Sequence, residues 1–92
     1  MLGHKEAQFA LGDMYKEGQG GVPQDYQKAI IWYLKAANQG DANAQDILGF
    51  LYDRVRGVPR DFAEAIKWYR KAAEQGHIES LYSMGLMYAE AA

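Results

Sequence analysis

A twenty-residue stretch occurs twice in this chain, and the duplication limits the folds open to it. Residues 21–40 read GVPQDYQKAIIWYLKAANQG and residues 57–76 read GVPRDFAEAIKWYRKAAEQG. Thirteen of the twenty positions are identical, at a constant offset of 36. Self-similarity at a fixed period of this size marks a repeat architecture, in which one small unit is stacked on copies of itself. Such a pattern says how a chain is built far better than what it binds.

Helical signals lie within and before each copy. Ala7, Leu11, Met14 and Tyr15 fall at i, i+4, i+7 and i+8 and predict a first helix over 4–17. Gly12 sits inside that stripe, where glycine costs about 1 kcal/mol relative to alanine, so a close helix crossing is expected there. Gly18, Gly20 and Gly21 end the helix. Pro23 holds Val22 extended, and Asp25 is an N-cap for a second helix over about 26–39. Its buried stripe is Tyr26, Ala29, Ile30, Tyr33, Ala36 and Ala37, with Trp32 on the flank facing an adjacent repeat. Gly40 stops it.

The cycle then recurs. A third helix is expected from Asp41 to about Arg54, with Ala44, Leu48, Gly49, Leu51 and Tyr52 in the places of Ala7, Leu11, Gly12, Met14 and Tyr15. Val55 stands where Gly18 stood, which predicts a less sharply capped end. Asp61 caps a fourth helix, about 62–75, carrying Phe62, Ala65, Ile66, Trp68, Tyr69, Ala72 and Ala73. A fifth starts near His77, where Ser80, Met84, Gly85, Met87 and Tyr88 repeat the first stripe. The reading is an all-α single domain over 1–92, with repeats at about 3–39 and 40–75 and a half repeat at 76–92. No pair buries its apolar face alone; stacking makes one core.

These residues resemble a known family. The frame A-x3-L-G-x2-Y-x2-G-x-G-V-x2-D-x3-A-x2-W-Y-x-K-A-A-x-Q-G is similar to the Sel1-like repeat, a longer-looped relative of the tetratricopeptide repeat. Leu11-Gly12 with Tyr15, and Leu48-Gly49 with Tyr52, carry the shared core, while Gln8 and Gln45 hold the tetratricopeptide tryptophan position. The departures are the extra glycine in 18–21, Val55 for glycine, Ser80 for alanine and the absence of a last helix. The resemblance implies a right-handed α-solenoid of antiparallel helix pairs. It implies an adaptor that presents a surface to other proteins, with no cofactor. It does not imply a catalytic site. The β-lactamase label of some cysteine-rich members, a weaker alternative, does not carry over to a chain with no cysteine and no S-x-x-K motif.

Composition agrees with that expectation. The chain is 49% hydrophobic with a net charge of −2, so it has no basic surplus for nucleic acid or an anionic membrane. No apolar run approaches the length of a membrane span. It has no cysteine, hence no disulfide framework or thiolate metal site. The start lacks a signal-peptide layout, and no compartment is assigned. Serine occurs only at Ser80 and Ser83, histidine only at His4 and His77. His4 and His77 lie two repeats apart, too far for a metal pair. His77, Ser80 and Glu79 share one helical neighbourhood, but a mid-helix serine has no free backbone N–H groups for an oxyanion hole. Ser80 reads as a small packing residue, and Trp32 and Trp68 as repeat packing.

In related solenoids the first helix of each pair lines the concave face. On this frame that selects Glu6, Phe9, Asp13, Lys16 and Glu17; Asn43, Asp46, Phe50, Asp53 and Arg54; and Glu79, Tyr82, Leu86 and Glu90. Phe9, Asp46 and Tyr82 are equivalent positions, as are Asp13, Phe50 and Leu86. They differ while the packing positions repeat, as a binding surface would. The expectation is a groove for a partner peptide or helix, with Phe9, Phe50 and Tyr82 as aromatic anchors. Asp13, Asp46 and Asp53 would select basic residues, beside Lys16, Asn43 and Leu86. The competing expectation is self-association or helix exchange through the last helix, whose Met84, Met87 and Tyr88 face a capping helix that the chain lacks. Leu2-Gly3 fall where Gln39-Gly40 end a repeat, which predicts a piece of a longer array.

Overall fold

The computed structural model describes residues 4–54 and 59–91. They form five helices: α1, His4–Glu17; α2, Tyr26–Asn38; α3, Ala42–Arg54; α4, Phe62–Glu74; and α5, Ile78–Ala91. The expectations at Val55, in the second Gly57-Val58 and at Leu2-Gly3 lie outside the described residues.

The two caps expected from sequence are in place. Asp25 accepts from the Lys28 N–H at 3.1 Å and Asp61 from the Glu64 N–H at 3.0 Å. Asp41 is a third. The sequence puts it inside α3, but its carboxylate accepts from the Ala44 N–H at 3.0 Å, so the helix begins one residue later. Helices α2 and α4 stop identically. Gly40 and Gly76 adopt φ of +92° and +89°, a conformation costly for any side chain. That turn lets the next residue's N–H reach back, Asp41 to the Ala36 carbonyl and His77 to the Ala72 carbonyl. Each loop is also tied to the helix before it: the Asp25 N–H donates to the Tyr15 carbonyl at 2.8 Å, and the Asp61 N–H to Tyr52 at 3.0 Å.

Each helix packs on its neighbours in sequence, so α2 lies against α1 and α3, and α4 against α3 and α5. The molecule is a slab of 41 × 28 × 16 Å. Its main core joins Ala29, Ile30, Tyr33, Ala36 and Ala37 of α2 to Ala44, Leu48 and Leu51 of α3 and Trp68 of α4. A second joins Ala65, Ile66 and Tyr69 of α4 to Met87 of α5. Trp68 therefore packs back onto the preceding repeat, as the flanking position of Trp32 suggests. Trp32 itself stays half-buried, with the Lys35 ammonium 5.4 Å from its ring centre.

The mid-helix glycines of α1 and α3 are close-approach sites. A Cβ on Gly12 would lie 2.7 Å from ring carbons of Tyr33, and one on Gly49 would lie 2.6 Å from Tyr69. Each repeat thus seats a tyrosine ring of its second helix on a bare turn of its first. Burial raises the pKa of both phenols, Tyr69 from 10.0 to about 12 and Tyr33 further, with the Asp13 carboxylate adding to the rise at Tyr33. Burial also raises Tyr52, and Glu64 and Asp61 add to it. An unfolded tyrosine loses its proton at a lower pH than these do. Above pH 10 the native state therefore holds more protons than the unfolded one, and stability falls with pH. Melting temperature should be insensitive to these tyrosines below pH 9 and drop steadily from pH 10 toward 12. A flat profile over that window would contradict the buried sockets.

One sequence expectation fails on α5. Met87 is fully buried against α4 and so does not belong to an open apolar stripe. It lies one position before Tyr88, which turns it about 100° away around a 3.6-residue helix. Met84 is partly buried against the same cluster, and Tyr88 is exposed with its ring edge-to-face with Phe62 at 6.0 Å.

Candidate protein-binding groove

Three of the nine residues expected to meet a partner stand free on one surface. Phe50 of α3 is 48% exposed, and Tyr82 and Leu86 of α5 are 70% and 42% exposed. They line a groove of ≈ 430 Å³ between α3 and α5, floored by Tyr69 of α4. Apolar side chains of this size left in water are uncommon as a cluster and mark interaction surfaces. Asn43 is also exposed, about two turns before Phe50 on α3.

The far end of the groove is charged. Arg54 pairs with Glu90 across the seam, joining α3 to α5. Its Nε also donates to Asp53 at 2.9 Å, and Arg60 of the loop reaches the other Asp53 oxygen through Nε and Nη2 at 3.1 and 2.8 Å. The Arg54 guanidinium is held above its ordinary pKa, first by the Glu90 hydrogen bond and then by Asp53.

The remaining expected residues are engaged with other groups of the protein. Asp53 has a buried side chain clamped by those two arginines, so it is not a selector facing solvent. Asp13 accepts the Tyr33 hydroxyl, which has no other way to replace its hydration when the ring is buried. Phe9 is no exposed anchor: it is half-buried, its ring edge-to-face with Tyr33 at 5.6 Å. Lys16 pairs with its neighbour Glu17 at 3.0 Å. Asp46 accepts from the Ser80 hydroxyl at 2.7 Å.

That last bond was legible in the repeats but only as a pair. Asp46 and Ser80 occupy, one seam later, the places of Phe9 and Ala44. An apolar pair of positions between repeats one and two is a polar, hydrogen-bonded pair between two and three. Ser80 also lies 2.9 Å from His77 Nδ1, so Asp46, Ser80 and His77 converge. Ser80 is fully buried and presents no nucleophile to a substrate. Asp46, His77 and Glu79 place donor atoms within 4.8 Å of one another, and the Ser80 hydroxyl lies within hydrogen-bonding distance of the first two. The group latches α5 to α3. Arg60 and Gln24, equivalent loop residues, were not singled out from sequence. Gln24 donates to the Lys16 carbonyl at 2.8 Å, and Arg60 reaches Asp53, the equivalent of Lys16.

Stacked helix pairs, sockets that recur from one to the next and a face that varies between them define a two-helix-repeat α-solenoid. The family model described as Sel1 repeat matches residues 5–41 and again 42–77. The chain belongs to the Sel1 repeat family. It superposes on a protective antigen of uropathogenic Escherichia coli strains that displays an SLR fold, with a TM-score of 0.87, 48% identity and coverage of 95% of this chain and 18% of that one. A Sel1 repeat protein from Oxalobacter formigenes gives a TM-score of 0.85 at 44% identity, over 95% of this chain and 35% of that one. Among curated proteins, the chain is 35% identical over 52 residues to the ERAD-associated E3 ubiquitin-protein ligase component HRD3A of Arabidopsis thaliana, and 37% identical over 51 residues to chitin synthase regulatory factor 4 of Schizosaccharomyces pombe. Those matches cover 56% and 55% of this chain and 8% of each relative.

Proposed function

We propose that this chain is a non-catalytic interaction scaffold that holds an extended or helical segment of a partner protein in the α3/α5 groove. The observation that carries the reading is the convergence of Phe50, Tyr82 and Leu86, all exposed, from two successive repeats onto one groove. Solenoids use their stacked first helices as extended binding surfaces. Among the relatives, one is named as a component of a ligase and another as a regulatory factor, roles that fit assembly rather than turnover.

Phe50 and Tyr82 are the anchors, Leu86 closes the apolar floor, and the Arg54–Glu90 pair borders the charged end. Asp13, Asp46 and Asp53 support the scaffold from inside. The preference for basic partners expected from those aspartates is replaced by an apolar preference with polar ends.

The test is panning a random-peptide phage library on the folded chain, with affinities then measured for the enriched peptides. Phe50→Ala and Tyr82→Ala remove exposed side chains, so stability should change by only about 0.5 kcal/mol. Each should weaken peptide binding about tenfold or more, as interface anchors do. Enriched peptides that bind both variants as tightly as the parent would refute the groove assignment.

A further inference from the structure

Four positions change together at the seam between the second and third repeats, while the scaffold beside them repeats. Asp46, His77, Glu79 and Ser80 stand where the preceding seam has Phe9, Asp41, Asn43 and Ala44. Ala72, Gln75 and Gly76 keep the identities of Ala36, Gln39 and Gly40. The earlier set holds one carboxylate, Asp41, and that carboxylate caps α3. The later set brings two carboxylates and an imidazole to one point, with donor atoms all within 4.8 Å of one another. Histidine is not among the favoured N-cap residues, so the exchange of aspartate for His77 gives up a cap at α5.

The hydrogen-bonded latch accounts for only part of this arrangement. Ser80 lies 2.7 Å from Asp46 and 2.9 Å from His77 Nδ1, and Glu79 adds a second negative charge beside them. Among the described residues, no lysine or arginine pairs with Asp46 or Glu79. Two carboxylates this close repel. The N-terminal end of α5 offsets part of that repulsion; a divalent cation would cancel both charges.

We propose that Asp46, His77 and Glu79 form a binding site for a divalent transition-metal ion of the zinc class, which clasps the third repeat onto the second. Zinc lies about 2.0–2.2 Å from nitrogen and carboxylate oxygen, which sets neighbouring tetrahedral donors about 3.3 Å apart. His77 Nδ1 and the Asp46 carboxylate stand 3.9 Å apart, so closure moves each donor by about 1 Å or less. Glu79 is exposed, and its side chain can swing to meet the ion. The imidazole offers its Nδ1 lone pair, with the ring proton on Nε2. Ser80 keeps its hydrogen bond to Asp46 and orients that carboxylate. Calcium and magnesium prefer all-oxygen donors, whereas imidazole favours zinc and its neighbours. The site joins α3 to α5 one turn before Phe50 and Tyr82, at the opposite end of the groove from Arg54 and Glu90.

Calorimetric titration of the folded chain with zinc chloride tests the site. Saturable one-to-one binding is expected, weakened tenfold or more by Glu79→Gln and by His77→Asn. Glu79→Gln changes an exposed side chain, so the melting temperature without metal should stay as it is. His77→Asn keeps a capping residue at the start of α5. With zinc a hundredfold above its dissociation constant, the parent should melt about 10 °C higher. Glu79→Gln at that same concentration should gain about half as much or less. His4→Ala, two repeats away, should bind as the parent does. The zinc site is overturned if the parent shows no saturable binding, if Glu79→Gln or His77→Asn binds as tightly as the parent, or if His4→Ala abolishes binding. Equal stabilisation by calcium or magnesium would overturn the part given to the imidazole.

Discussion

Tyr33→Ala should leave the chain unable to hold its fold at physiological temperature. Tyr33 is fully buried and is the largest side chain so enclosed. It fills the space over Gly12, meets Phe9 edge-on and donates to Asp13. Truncating a buried aromatic costs about 3–5 kcal/mol, against a total of about 5–15 kcal/mol for an ordinary domain. In a chain of this length each kcal/mol is worth about 4–8 °C, so a melting point lower by about 12 °C or more is expected. Glycine at position 12 makes the loss worse, because no side chain there can relax into the void. Tyr33→Phe separates the two contributions. It keeps the ring and releases the half-buried Asp13 to water, for a loss of about 1 kcal/mol. Calorimetry on both variants checks this; similar losses for Ala and Phe would mean that the hydroxyl, not the ring, secures the first repeat.

Gly49→Val should be nearly as damaging, while Gly85→Val should be close to neutral. On sequence grounds the two glycines are indistinguishable: each follows the Leu48 or Met84 position and precedes a tyrosine by three. In the fold, the first methyl on residue 49 would sit 2.6 Å from the Tyr69 ring, and Tyr69 is itself buried. Overpacking of this kind costs about 1–3 kcal/mol, and valine recovers only a few tenths of that through its better helix propensity. A loss of about 2–3 kcal/mol is expected at residue 49. At residue 85 the branched side chain projects into open space. Denaturant unfolding of the two variants measures the difference directly, and equal midpoints would remove the packing explanation for Gly49.

Helix limits were readable to within a residue because caps are local. Asp25, Asp61, Gly40 and Gly76 act on atoms within a few positions of themselves. The groove was only partly readable for the opposite reason. Phe50, Tyr82 and Leu86 lie on the expected face and are free. Asp46 and Asp53 lie on the same face and are not. Asp46 is taken by Ser80, 34 residues away, and Asp53 by Arg60 from a loop. Met87 shows the same limit on α5, where the stripe marked an apolar side chain but not the neighbour that covers it.

The sequence alone determined that this chain is a stack of helix pairs, where each helix begins and ends, and which positions are scaffold. Repetition and spacing are enough for that, since a period of 3.6 and a terminal cap act through the local backbone. Only the tertiary structure decided which polar side chains on the varied face are free and which glycine sockets are occupied. Occupancy depends on a side chain brought in from another helix or loop, and no spacing within one helix records whether it arrives.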